Sequence, residues 1–345
     1  MRKRASARPR RRWRRRLVAG LLIALCFVVA GAGGTLAYFF PAIVTAFQVT
    51  GHTIDRSKES AAPSESAHAA ASVAPAPSPT SAAPGQPFTV LLLGSDNDEK
   101  FAPGQVLTQS MILCRINPAT KQVVMLSLSR DMYVPLSTGG TDKIDKAYLY
   151  GGASAAVTTV ENDFDVHVDH YAWIGLLGLV NLIDKVGGID VVATNPVLDD
   201  FYPADISGTN PYDYERVAVL PGPQHMNGIQ ALEYVRSRHG DLRSDYGRSQ
   251  RQQEVLLALR AKAKLLGLSD LPDIANAMAN DFNTDMSISQ VASLLPLASN
   301  ITLGNVQQII LLPPYTEAAQ VGSQDVLIAN WNLILPLVHQ YFPAQ

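Results

Sequence analysis

The feature that most constrains this chain is a run of 24 residues without a charge, LVAGLLIALCFVVAGAGGTLAYFF at positions 17–40. A bilayer core takes about 20 apolar residues as a helix, so the run is long enough to cross one. Ten of the 28 Lys and Arg residues fall in the first sixteen positions, and no acid sits among them. Basic residues flanking the amino end of a span keep that end in the cytoplasm. A cleaved signal peptide, with Ala30-Gly31-Ala32 as its small-residue site, is the competing reading, but its apolar region would be too long. A nucleic-acid-binding arm is disfavoured because the arginines abut a hydrophobic span. The expectation is a basic cytoplasmic segment at 1–16 and an uncleaved transmembrane helix at 17–40. Everything beyond it would then lie outside the cytoplasmic membrane.

Residues 41–87 read as an extracytoplasmic linker. Between positions 60 and 87, 22 of 28 residues are Ala, Pro or Ser. Such a segment cannot bury enough apolar surface to offset its ordering entropy. Extended, it would reach roughly 90 Å at ~3.3 Å per residue. Setting the basic cluster aside leaves 18 basic groups against 30 acidic ones, so the body of the protein is acidic. The two cysteines, Cys26 and Cys114, fall in the span and in a strand, which leaves no internal disulfide to staple the outer domain.

From Phe88 onward the pattern alternates. Strands are expected at 88–93, 110–116 and Gln122–Leu128, the last two forming a hairpin across NPATK. A helix at 153–163, a strand at 167–173 and a largely buried helix at 174–186 follow. Gly187-Gly188 stops that helix before a strand at 189–192. Helices at 228–235, 247–266, 271–279 and 287–298, a strand at 306–312 and a final helix at 326–341 complete the chain. This order predicts an α/β fold: a single mixed β-sheet domain over residues 88–345, covered by helices on both faces.

Charge gathers where these elements end. Asp96 and Asp98 follow the first strand, and Arg130-Asp131 follow the third. Arg236 and Arg238 share a face if the chain is extended after Val235. Arg248, Arg251 and Gln252 stand at i, i+3 and i+4 on one helix face near its amino end, with Asp245 just before them. Guanidinium groups there would grip phosphate oxygens in bidentate fashion. Each residue also has a plain structural reading: a solvated arginine, a capping Asp245, a surface Arg130–Asp131 pair, a turn-forming Asp96. Asp199-Asp200 reads as a solvated loop pair. Tyr202, Tyr212 and Tyr214 read as loop aromatics that could line a sugar site. His167, His170, His225 and His239 show no metal-binding spacing.

Taken in order, LLLGSD, MILCRINPATKQVVMLSLSRDMYVPL, DKIDKAYLYGG, VDHYAWIGLLGLVNLIDKVGGIDV, GPQHMNGIQALEYVRSRHGD and SDYGRSQRQQ resemble the LytR-CpsA-Psr family over residues 88–266. The resemblance implies a membrane-anchored transferase that moves a glycopolymer from a polyprenyl-pyrophosphate carrier onto peptidoglycan through a phosphodiester. It implies an apolar pocket for the lipid and an assisting divalent cation, usually Mg2+. Carried over by motif, Asp96 is a metal ligand and Arg130, Arg236, Arg238 and Arg248 hold the pyrophosphate. Asp131, Lys143, Asp245, Arg251 and Gln252 support the site. Magnesium held by one or two carboxylates with phosphates completing its shell suits such chemistry, as do arginines around a transferring phosphoryl group.

The chain departs from the family pattern at three positions. Asp98 and Leu107 stand where arginines are usual, and Gln109 stands where a second metal-binding aspartate is usual. Glutamine's carbonyl oxygen can coordinate a hard cation but carries no charge. Asp98, two residues from Asp96, is the expected replacement carboxylate. Besides a working transferase, two readings stay open: a catalytically weak scaffold that binds lipid-linked glycan, and a pyrophosphatase that releases the head group to water.

Overall fold

The computed structural model describes residues 85–344 apart from 97–105, 205–212, 239–240, 242, 264, 266–267 and 279–280. The expected span at 17–40, the linker up to 84 and Asp98 lie outside the described residues. No helix among the described residues is long and apolar enough to cross a membrane.

The strands are β1 (Phe88–Asp96), β2 (Leu107–Asn117), β3 (Gln122–Leu128), β4 (Tyr133–Pro135), β5 (Thr141–Lys143), β6 (His170–Ile174), β7 (Ile189–Ala193), β8 (Val197–Pro203), β9 (Tyr214–Val219), β10 (Gly222–Met226), β11 (Phe282–Thr284), β12 (Val306–Ile310), β13 (Thr316–Val321) and β14 (Gln324–Ala329). The α-helices are α1 (Lys146–Phe164), α2 (Leu176–Lys185), α3 (Gly228–Arg236), α4 (Ser244–Ala263), α5 (Leu271–Ala277), α6 (Ile288–Asn300) and α7 (Trp331–His339).

Six strands form the central sheet in the order β11-β6-β1-β2-β3-β12. The β1–β2–β3 meander is antiparallel, whereas β6 joins β1 and β12 joins β3 in parallel, so the sheet is mixed. Alternation along the strands divides the apolar residues between its faces. Leu91, Leu93, Met111, Leu113, Leu126 and Leu128 pack on one side with Val157, Val160 and Phe164 of α1 and Ile334 and Val338 of α7. Ile112, Cys114 and Met125 pack on the other with Leu256 and Leu257 of α4. Beside that second face, α2, α3, α4 and β7 close a core of their own around Ile183, Ile189, Leu232, Tyr234 and Val255. Helices therefore cover both faces, and the space between the second face and the α2–α4 group is the one that matters for function.

Several expected boundaries move. The helix expected from 153 begins at Lys146 and breaks at Gly151 and Gly152, whose backbone angles are not helical. The strand expected at 167–173 starts at His170. The helix at 174–186 is amphipathic rather than buried all round: Leu176, Val180 and Ile183 are buried while Leu177 is 44% exposed. The final helix is shorter than expected, since 326–329 belong to β14, which pairs antiparallel with β13 around Gly322. Residues after Leu266 complete the core, as β12 closes the sheet edge and α7 buries Ile334 and Val338.

Candidate active site

A cavity of about 440 Å³ lies between the sheet and the α2–α4 group. Its walls are apolar: Leu92, Ile112, Ala172 and Ile174 from the sheet, Leu176 and Leu179 from α2, Leu232 and Val235 from α3, Val255 and Leu256 from α4. Arg130, Arg236, Arg238 and Arg248 line the same cavity with Gln109 and Gln252. Ser110 donates to Gln252 Oε1 at 2.9 Å, tying sheet to helix inside it.

Local structure brings each polar side chain there. Arg130 and Asp131 follow β3 after Ser129. Gln109 arrives through a β-bulge: Gly94 pairs with Ser110 but Ser95 pairs with Thr108, leaving Gln109 as the extra residue. A bulge re-aims a side chain, which is how the consecutive Gln109 and Ser110 both line one cavity. Gln109 Oε1 accepts a hydrogen bond from Arg130 Nη1. Arg236 is the last residue of α3, and its guanidinium carbon stands 5.7 Å from the Tyr202 ring centroid, a cation–π distance. Arg238 N donates to Asp199 Oδ2 at 3.0 Å. Asp199 is thus no solvated loop residue: it is 1% exposed on β8 and fixes the arginine segment, while Asp200 pairs with Arg216.

The cations and acids form one connected cluster. Asp131 receives Lys143 Nζ at 2.7 Å and lies 3.6 Å from Arg130 Nε and 3.7 Å from Arg238 Nη2. Asp245 Oδ1 lies 3.1 Å from Arg248 Nη2 and 3.3 Å from Arg238 Nη2. Burial alone would raise the Asp131 carboxyl, but its hydrogen bond with Asp245 and the charges of Arg130 and Lys143 hold it well below the ordinary range. Asp245 moves the other way, raised by burial and by the hydrogen bond with Asp131. Burial lowers Arg248 to about 10 against the opposing pull of Asp245, which leaves it charged at neutral pH. Arginines and a lysine thus outnumber the firmly ionised carboxylates, and the cluster is a site for an anion.

Arg251 is not part of it. Its Nε donates to the Tyr234 carbonyl at 2.6 Å, its Nη2 donates to the Ser237 carbonyl, and its Nη1 pairs with Asp241. These bonds hold the chain between α3 and α4, so Arg251 supports Arg236 and Arg238 from behind. The backbone of Asp96 pairs with Leu107 at the end of β1.

A divalent cation would need oxygen ligands beside this cluster. No group of three or more His, Cys, Asp or Glu suited to a metal occurs among the described residues. One acid that sequence analysis passed over is buried near this cluster. Asp145 is 4% exposed, and its Oδ1 is buried without a hydrogen-bond partner. Arg130, Lys143 and Lys146 act on it as nearby positive charges. The signal available in the sequence was an acid directly before KAYLYGG in a motif already singled out.

The LytR_cpsA_psr family model matches residues 43–324. The chain belongs to the LytR_cpsA_psr family. Among its LytR_cpsA_psr relatives is the polyisoprenyl-teichoic acid–peptidoglycan teichoic acid transferase TagU of Enterococcus faecalis, 30% identical over 85% of this chain and 85% of that protein. The biofilm regulatory protein A of Streptococcus mutans is 39% identical over 59% of this chain and 51% of its own length. In three dimensions the fold is similar to TagT bound to LIIa-WTA, with a TM-score of 0.58 at 25% identity over 74% of this chain and 89% of that one.

Proposed function

We propose that this protein is a membrane-anchored extracytoplasmic phosphotransferase that moves a glycopolymer from a polyprenyl-pyrophosphate carrier to peptidoglycan. The observation that carries this is the joining of an apolar cavity to a cluster of arginines with spare positive charge. The lipid chain occupies the cavity, and Arg130, Arg236, Arg238 and Arg248 bind the pyrophosphate. An acceptor hydroxyl oxygen bonds to the phosphorus that bears the glycan. The bond from that phosphorus to the bridging oxygen breaks, releasing polyprenyl monophosphate and the hydroxyl proton. Negative charge developing on the phosphoryl oxygens is met by guanidinium groups already fixed in place, so little reorganisation is needed. Lys143, Asp131 and Asp245 hold those groups in register, and Gln252 lies beside them.

A divalent cation, Mg2+, supplies further charge neutralisation when bound, and Asp96 with Gln109 would hold it, Asp98 being the second carboxylate expected from sequence. Residues 17–40 anchor the chain with its amino end in the cytoplasm. No nucleic acid is involved in this reading. The relatives named as teichoic acid transferases support it. One observation favours a binding scaffold instead: the carbonyl oxygen of Gln109 is already engaged by Arg130.

The test uses the full chain in detergent with a polyprenyl-pyrophosphate-linked glycan, with and without Mg2+ and wall acceptor. Transfer lost in Arg236→Ala is the expected result. Release of the glycan phosphate to water whether or not acceptor is present would identify a pyrophosphatase. Lipid binding that needs Arg236 with no turnover would identify a scaffold.

A further inference from the structure

We propose that the acceptor glycan docks in a second cavity, between the β13–β14 ribbon and the start of α7, at the end of the sheet that carries the arginine cluster. The inference rests on the transferase reading above and concerns residues outside every motif that carried it.

This cavity measures about 450 Å³, and its lining includes Pro314, Glu317, Ile328, Asn330, Trp331 and Asn332. Ligand pockets usually enclose ~300–1,000 Å³. Topology places the cavity beside the arginines. Strand β12 runs parallel to β3, with Ile310 opposite Ser127, so both strands leave the sheet at the same end. The chain after β3 carries Arg130 and Asp131, and the chain after β12 leads to Pro314. Two bonds then tie the ribbon to the cluster. Leu327 N–H donates to the Asp131 carbonyl at 2.8 Å, and the hydroxyl of Tyr246, next to Asp245, lies 3.1 Å from Thr316 Oγ1. Glu317 pairs with Ile328 on the same two strands, so the strands that line the cavity are the strands bonded to the cluster.

The lining selects the ligand. It holds one acid and no base, so it repels the pyrophosphate and any phosphate-bearing polymer. A purely apolar ligand would strip water from Glu317 and the two asparagines and replace none of its hydrogen bonds. An uncharged glycan meets both conditions. Asparagine amides offer donor and acceptor together, a carboxylate accepts from hydroxyls, and an indole presents apolar surface to the C–H side of a sugar ring. The polar groups are available: Glu317, Asn330 and Asn332 are exposed, and Asn330, although the N-cap of α7, makes no side-chain cap bond. The Trp331 ring is fixed by an edge-on contact with the buried Phe164, 5.2 Å between centroids. Asn330 N–H donates to the Tyr315 carbonyl at 2.8 Å and holds the helix start in place. A glycan seated there lies at the sheet end where the pyrophosphate binds, the placement that attack by its hydroxyl requires. The competing reading is a water-filled crevice where ribbon meets helix.

Binding of chitotetraose, an uncharged N-acetylglucosamine oligomer, separates the two. The full chain in detergent is titrated calorimetrically with chitotetraose, alone and with polyprenyl pyrophosphate present, and with the lipid pyrophosphate by itself. Wild type, the double variant Glu317→Ala/Asn332→Ala, Trp331→Leu and Arg236→Ala are compared, with circular dichroism to confirm folding. The double variant is expected to bind chitotetraose roughly 10-fold more weakly, the effect of two lost hydrogen bonds. Trp331→Leu should weaken it as well, and both should bind lipid pyrophosphate as wild type does. Arg236→Ala should do the reverse. In the transfer assay the double variant should raise KM for the wall acceptor and leave KM for the lipid substrate unchanged. Wild type that binds no chitotetraose in either titration, or variants that bind it as wild type does, overturn the inference. Lipid pyrophosphate binding that needs Arg236 then leaves the transferase reading standing. Wild type that binds no lipid pyrophosphate overturns that reading, and the acceptor role with it. If Trp331→Leu does not fold, the double variant, altered only at exposed positions, decides alone.

Discussion

Gly228, the first residue of α3, lies against the main-chain carbonyl of Val180 on α2 with no room for a Cβ atom between them. Its N–H donates to Asp184 Oδ1 at 2.7 Å, so the two helices meet through backbone at this point. A methyl group placed here must push α3 away, and α3 ends in Arg236. Gly228→Ala is expected to destabilise the fold by about 1–3 kcal/mol, the usual range for overpacking. It should also weaken binding of lipid pyrophosphate. Urea denaturation and a binding titration on the same sample check both; a variant with unchanged stability and affinity would contradict the close packing.

Arg251 and Arg236 are both arginines on the flanks of one segment, yet they should fail differently. The side chains of Arg251 and Asp241 are 5% and 4% exposed, and removing one partner of a buried pair costs roughly 3–5 kcal/mol. Arg251→Met is expected to lower unfolding stability by about that much. Arg236→Ala is expected to leave stability within about 1 kcal/mol and to abolish capture of the pyrophosphate. Chemical denaturation set beside ligand binding distinguishes them. Equal stability losses would remove the division of labour.

The cavity wall offers a way to separate tail from head group. Ala172 on β6 lines the cavity at a distance in sequence from every arginine of the cluster. Ala172→Trp would fill part of the space. Affinity for a long-chain polyprenyl pyrophosphate should fall by roughly 10-fold, about 1.4 kcal/mol, while a two-isoprene analogue binds as before. Parallel losses for both ligands would show that the tail does not lie there.

Asp163 on α1 gives the fold a pH dependence remote from the site. Burial raises its carboxyl to about 7, and its Oδ2 has no hydrogen-bond partner. The folded state therefore binds a proton more tightly than the unfolded chain. The favourable contribution is fully present below about pH 4 and is lost as pH rises toward 7. Because the group keeps some contact with solvent, the effect is on the order of 1 kcal/mol rather than the full shift. Asp163→Asn should flatten the dependence of the thermal midpoint between pH 4 and 7; an unchanged slope would place the titration elsewhere.

Arg130, Arg236 and Arg238 were legible because they stand at or just after the end of a strand or helix, where the sequence turns abruptly from apolar to charged, and Arg248 because it stands near the start of α4. Arg251 was misread for a geometric reason. At about 100° per residue, positions 248 and 252 nearly superpose on the helix face. Position 251 lies roughly 100° from 252 on the other side of 248, and here it turns to Tyr234 and Ser237. The bulge at Gln109 could not be read from one strand, since an extra residue exists only relative to its pairing partner. Residues 326–329 fit helix and strand patterns alike over so short a run, and pairing with β13 decided between them.

The parallel pairing of β12 with β3 joins the far end of the chain to its first hairpin. Nothing local can nucleate that contact, and the entropy of closing so long a loop must be met before the pairing returns anything. The meander β1–β2–β3 can form early, but its outer edge stays open until residues 306–310 exist to cover it. Maturation of this domain is thus expected to be a late, all-or-none event in the life of the nascent chain. Until then the exposed strand edge is open to mispairing with other chains.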